Sequence, residues 1–186
     1  MTIDVLFVQG GGEDVHDQWD DKLVESLRNE LGAGYTIRYP YMPDEEEPHY
    51  SAWQNALQNE IATLTDSALL VGHSVGGTIL IHTLADELPK RQAGGVFLIA
   101  APFIGEGGRA SDDIKARRNL GHYLPAGVPI FMYHGTDDDV VPYVHLNLYE
   151  RAIPQAVVRT LGGRNHQLNN DLSCVAQDIR SLKSLA

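Results

Sequence analysis

Six short apolar runs, each of strand length, alternate along this chain with stretches whose apolar residues recur every three or four positions. No other feature limits the fold so tightly. Residues 3–8, 35–39, 68–71, 96–100, 128–133 and 156–161 read as strands, most of them near-continuous apolar segments of the kind covered on both faces. Between them, Trp19, Leu23, Leu27 and Leu31 form one helical stripe that stops at Gly32, and Tyr50, Trp53, Leu57, Ile61 and Leu64 form a second. Further helices are expected over 75–88, within about 112–123, over 143–152, and along the stripe Leu172, Val175, Ile179 and Leu182. Strands alternating with helices bury a sheet between two helical layers. The expectation is therefore an α/β fold of three layers: a six-stranded, mainly parallel sheet with helices on both faces.

The 186 residues suit a single domain, 1–186, and no linker divides it. Residues 101–127 are rich in glycine and charge and read as a short cap-like connection. A formal net charge of -11 argues against nucleic acid and anionic membrane as partners, since both demand clustered Lys and Arg. The one basic cluster, 115–118 (KARR), is expected on a solvated helix face, and the acidic run 43–48 (PDEEEP) in an exposed loop before a helix. The start, MTIDVLFVQGGG, lacks a basic region and a cleavage-type site and reads as a strand. No apolar run approaches the length that spans a bilayer. The single cysteine, Cys174, can form no internal disulfide, which points to a reducing, cytoplasmic setting. It is expected in the core of the last helix. Oligomeric state is not legible here.

In parallel sheets, ligands gather at the carboxyl ends of the strands. Three kinds of reactive residue fall there. Ser74 follows the third strand in LLVGHSVGG, Asp137, Asp138 and Asp139 follow the fifth in HGTDDDVVP, and His166 follows the sixth in LGGRNHQL. The residue types answer a chemical need. A serine hydroxyl is a poor nucleophile at neutral pH unless an imidazole takes its proton, and the imidazole needs a carboxylate to fix its tautomer. The glycines around Ser74 suit a sharp strand-to-helix turn. An oxyanion would be met by the N–H of Val75 and by a second N–H from VQGGGED, with Gly11 favoured and Gly10 next. Spacing alone does not separate the three aspartates.

Taken together, VLFVQGGG with Trp19 following, GHSVGG, HGTDDDVVP and GGRNH resemble the α/β-hydrolase superfamily in a compact form. The chain is similar to the small single-domain serine hydrolases related to retinoblastoma-binding serine hydrolase. The resemblance covers nearly the whole length, and the order of the pieces is far more specific than any one of them. A family pattern like H-G-x-x-D-x-x-V-P places the acid at Asp138, although acids stand on both sides of it here. What the resemblance implies is a serine hydrolase, carboxylesterase-like, acting on a small-molecule ester or acyl substrate through an acyl-enzyme on Ser74. Thioester and amide substrates come next. The competing reading is a protein-binding module that keeps the fold with little or no turnover.

Other residues draw plainer expectations. His73 and His134 read as satisfied structural histidines, with the His73 side chain directed away from the nucleophile. Trp19, Tyr50 and Trp53 read as helix-face core, though Trp19 is near enough to the oxyanion loop to join Phe103, Ile104 and Tyr123 as candidate substrate-pocket residues. No metal site is expected, because histidines such as His16 and His122 lack partners at ligand spacing, and no cofactor is implied.

Overall fold

The computed structural model describes residues 2–182. Six strands, β1 (Ile3–Val8), β2 (Tyr35–Arg38), β3 (Leu69–His73), β4 (Gly95–Ile99), β5 (Ile130–Gly135) and β6 (Val157–Leu161), form one sheet in the order β2-β1-β3-β4-β5-β6. Every neighbouring pair is parallel, with Val5 opposite Leu69 and His73 opposite Ile99 in the central register. Four α-helices lie between strands, α1 (Asp21–Leu31), α2 (Tyr50–Thr63), α3 (Ser74–Asp86) and α4 (Val144–Ala152), and α5 (Ser173–Leu182) follows β6. The sheet is thus fully parallel.

Alternate residues of the central strands feed two separate cores. Leu6, Val8, Leu70, Leu98 and Met132 pack with residues of α2, α3 and α4, while Val5, Phe7, Val71, Phe97 and Tyr133 pack with α1 and α5. Burial on both faces explains why the central strands read as unbroken apolar runs. Trp53 is fully buried and donates its indole N–H to the Pro43 carbonyl (2.6 Å), which ties α2 to the loop before it. Truncating such a residue to alanine typically costs about 3–5 kcal/mol.

In the fold itself, the structure departs from the sequence expectation at Trp19 and over 112–123. Trp19 is 53% exposed and does not belong to the core stripe. Residues Val15–Asp20 wind as a π-helix ahead of α1, and the wider turn carries Asp20 and His16 inward while Trp19 faces out. In place of a helix within 112–123 there is only a 3₁₀ turn, Leu120–Tyr123. The segment before it follows bends and turns, anchored by Ser111, whose hydroxyl donates to Asp113 and accepts the N–H of Ile114. Consequently 115–118 is not a helix face. Arg117 instead turns inward to Asp86 and lies over the Tyr123 ring, and Arg118 pairs with Glu106. Among the described residues, no helix is long and apolar enough to cross a membrane.

Candidate active site

The end of β3 runs into α3 through one strained residue. Ser74 has φ +50°, a left-handed conformation that costs a non-glycine residue energy and is held only where its surroundings enforce it. Close packing does so here. A Cβ on Gly76 would come within 1.9 Å of the Gln9 carbonyl oxygen, so the first turn of α3 lies against the end of β1 as only glycine allows. Ser74 is held at the mouth of this turn, half-buried.

Two further loops meet it. The loop after β5 carries Asp138, and the loop after β6 carries His166. A Cβ on Gly135 would lie 2.0 Å from the Arg164 carbonyl, and the N–H of Asp137 is donated to that same carbonyl (3.0 Å), which locks the two loops together. Ser74 Oγ lies 3.0 Å from His166 Nε2, and His166 Nδ1 lies 2.9 Å from Asp138 Oδ2. Of the three aspartates, only the Asp138 side chain is buried and reaches the imidazole. Asp137 and Asp139 are exposed.

The Asp138 carboxylate is heavily solvated by the protein. Its Oδ1 accepts the N–H groups of Val140 (2.9 Å) and Val141 (2.8 Å), and His134 Nε2 stands 3.2 Å from Oδ2. Burial by itself would raise its pKa. The hydrogen bonds from His134, His166 and Val141 outweigh that and hold the carboxyl well below the usual carboxylate range. His166 is lowered, first by burial and then by the charge of His73, with Asp138 pulling the other way. The imidazole at the serine is therefore biased toward its neutral, proton-accepting form.

His73 does not point away from Ser74, contrary to the expectation from sequence. Its ring is buried beside that of His166, with centroids 4.8 Å apart. His73 Nδ1 lies 2.9 Å from Asp20 Oδ2, and Nε2 lies 3.2 Å from the His166 carbonyl oxygen. Asp20 also accepts the N–H of Gly10 (2.7 Å), so that N–H is already committed, and a Cβ on Gly11 would meet the side chains of Pro48 and Val75. The acidic run 43–48 is more than an exposed loop. The Glu45 carboxylate accepts the N–H of His16 (3.0 Å) and bonds Gln9, and the Glu45 carbonyl accepts the N–H of Gly12 (2.7 Å). Asp20 and Glu45 escaped the sequence reading, whereas His134 is the satisfied structural histidine expected, bonded to the Val141 carbonyl (2.8 Å). No local pattern marks an acid that a π-helical turn rotates inward.

The expected pocket residues scatter. Phe103 and Ile104 are buried in the core cluster against whose edge Val75 packs, and Phe103 meets Tyr149 edge-on (5.1 Å). Tyr123 is 51% exposed beneath Arg117, whose partner Asp86 ends α3, while Ser74 begins it. Thirteen residues of helix separate those ends by about 18 Å. Trp19 is exposed, with the Lys22 ammonium 5.5 Å from its ring. A cavity of about 740 Å³ lies between α2 and α3 at their far ends and is lined by residues such as Ile61, Leu84 and Leu88. A second hollow of about 420 Å³ is bordered by 44–47 and His49. Neither is lined by Ser74. Among the described residues, no group of three His, Cys, Asp or Glu side chains is placed to hold a metal. Cys174 lies half-buried on α5, beside the core.

A fully parallel sheet with a strained serine at the β3–α3 turn defines an α/β hydrolase. Residues 5–170 match the family described as serine hydrolase, and the chain belongs to that family. Solved structures agree on the fold. A serine hydrolase involved in carbazole degradation superposes with a TM-score of 0.74 at 14% identity, over 99% of this chain and 92% of that one. An esterase from Rhodococcus sp. ECU1013 gives 0.72 at 18% identity, over 100% and 92%. A monoacylglycerol lipase from Paleococcus ferrophilus gives 0.70 at 15% identity, over 100% and 96%. No curated protein sequence matches the chain significantly.

Proposed function

We propose that this serine hydrolase cleaves a carboxylic ester of a small molecule through an acyl-enzyme on Ser74. The observation that carries the reading is the hydrogen-bonded series Ser74 Oγ, His166 Nε2, His166 Nδ1, Asp138 Oδ2, with links of 3.0 and 2.9 Å. Asp138 accepts the Nδ1–H and so leaves the Nε2 lone pair free to take the serine proton. As Ser74 Oγ attacks the carbonyl carbon, that proton moves to His166, and the growing imidazolium is stabilised by Asp138. The oxyanion is met by the N–H groups of Val75 and Gly11. His166 then protonates the leaving alkoxide, which departs as an alcohol. A water molecule gives its proton to His166, attacks the acyl carbon, and the acid leaves as Ser74 regains its proton.

The structures that share the fold include proteins described as an esterase and a monoacylglycerol lipase, which favours an ester over an amide. The single cysteine supports a cytoplasmic setting. A fluorophosphonate probe tests the reading, together with hydrolysis of p-nitrophenyl acetate. Wild-type protein is expected to label and turn over. Ser74→Ala is expected to do neither, with kcat lower by a factor on the order of 10⁴ to 10⁶. A folded wild-type protein that neither labels nor turns over would refute it.

A further inference from the structure

Below the serine–histidine pair lies a second pair of ionisable groups with no part in the proton transfers above. Asp20 has no exposed surface and His73 is 1% exposed, so both are as deeply buried as the hydrophobic core. Unpaired charges at such depth would cost several kcal/mol each. Hydrophobic residues of similar size would fill the space without that cost. Something in the site must therefore need polar partners here.

The contacts show what needs them. Two backbone groups on the active-site loops end at this pair: the Gly10 N–H, bound to Asp20 Oδ2 at 2.7 Å, and the His166 carbonyl, 3.2 Å from His73 Nε2. Gly10 adjoins Gly11 of the oxyanion loop, and the His166 carbonyl belongs to the residue whose ring receives the serine proton. We propose that His73 and Asp20 are positioning residues that act as one charged unit, an imidazolium–carboxylate pair that fixes the oxyanion loop and the His166 loop relative to each other. The proposal rests on the catalytic reading of Ser74 and His166.

The protonation state follows from the acceptors. A carbonyl oxygen only accepts, so His73 Nε2 must carry a proton. Asp20 accepts from Gly10 and, at Oδ1, from the Gln167 side-chain amide (3.2 Å), and its Oδ2 faces His73 Nδ1 at 2.9 Å. A carboxylate already holding two N–H donors is ionised, and Nδ1 is then the third donor. Both ring nitrogens of His73 are thus protonated. Burial opposes this charge, but Asp20 outweighs it and raises the His73 pKa, with smaller help from the His166 carbonyl and Asp138. The π-helical winding of Val15–Asp20 finds its reason here, since it is what brings Asp20 inward in place of Trp19.

The pair also has an electrostatic consequence. The titratable groups facing His73 are Asp20, Asp138 and the ring of His166, and the positive charge of His73 opposes protonation of that ring. Removing it raises the His166 pKa. Asp20 acts oppositely on His166 and more weakly, so neutralising both groups still moves it upward.

Nitrogen-15 NMR of the unmodified protein tests the protonation state, with the His73 ring assigned by its loss in His73→Gln. Two ring N–H protons on His73 near pH 7 are expected, and a single one overturns the proposal. Asp20→Asn and His73→Gln, checked for folding by thermal melts, test the positioning role. On p-nitrophenyl acetate, kcat is expected to fall roughly 10- to 100-fold with KM within about threefold. The acid limb of the kcat/KM profile should move to higher pH. Folded variants with unchanged kcat and unchanged acid limb also overturn it. Undiminished hydrolysis by Ser74→Ala would instead sink the catalytic reading, while the charge on His73 would still be read independently.

Discussion

His134 Nε2 stands 3.2 Å from Asp138 Oδ2, the same oxygen that His166 Nδ1 approaches to 2.9 Å. One carboxylate oxygen thus serves two imidazoles. His134 is fixed in turn by donating to the Val141 carbonyl (2.8 Å), so its Nε2 carries a proton and its ring is held at the acid's back. Replacing it with phenylalanine keeps the ring volume and removes the donor. His134→Phe is expected to lower kcat/KM on p-nitrophenyl acetate about tenfold and to destabilise the fold by about 1–3 kcal/mol, because the buried Val141 carbonyl loses its partner. Paired kinetic and urea-unfolding measurements decide it, and a fully active, fully stable variant would show that His134 does not support Asp138.

The pH dependence of turnover has a defined direction. On the proposed mechanism His166 must be neutral to accept the serine proton, and burial together with His73 lowers its pKa below the ordinary histidine value. Activity is therefore present above that lowered pKa and lost as pH falls through it. Asp138, held well below the usual carboxylate range, stays ionised throughout. The acid limb of kcat/KM, which reports the free enzyme, is expected below about pH 6.5. A limb centred above about 7 would contradict the electrostatics of the site.

The contrast between legible and illegible parts has a physical basis. Runs such as LLVGH and VFLIA are buried on both faces, and burial on both faces leaves an unambiguous record in composition. The candidate site residues were visible because Ser74, Asp138 and His166 lie within five residues of the carboxyl ends of β3, β5 and β6. Trp19 was misread because periodicity presumes 3.6 residues per turn, and a π-helical turn of six residues shifts which side chain faces inward. The helix expected within 112–123 failed for a different reason. Arg117 reaches Asp86, a tertiary contact that outweighs helix propensity. The Asp20–His73 pair joins residues 53 positions apart, and nothing in a single sequence reports such a pairing.

The β3–α3 turn makes a sharp prediction about backbone approach. A methyl group on Gly76 would stand 1.9 Å from the Gln9 carbonyl oxygen, a backbone atom that cannot move without dragging β1. Gly76→Ala is expected to cost several kcal/mol or to prevent folding, at the overpacked extreme of core substitutions. Gly162, where an added Cβ meets nothing within 4 Å, is the control, and Gly162→Ala should lie within about 0.5 kcal/mol of wild type. Thermal unfolding of the two variants separates them. Equal stabilities would mean that α3 does not approach β1 as closely as described.

His82, on α3, offers a test of stability against pH that is independent of catalysis. It is 1% exposed, and among the described residues neither ring nitrogen has a hydrogen-bond partner. Burial, and then the nearby Arg117 charge, push its pKa down to about 4, with Asp86 opposing. In the unfolded chain the value is about 6.5. Between those values the unfolded state binds more protons than the folded one, so stability rises with pH across that window and falls on acidification. The loss attributable to this residue is about 2 kcal/mol between pH 7 and pH 5. His82→Leu, of similar volume and without a titrating group, should lose correspondingly less over the same interval. Urea midpoints at the two pH values provide the comparison, and an acid-induced loss equal in wild type and variant would show that His82 is not held neutral by its burial.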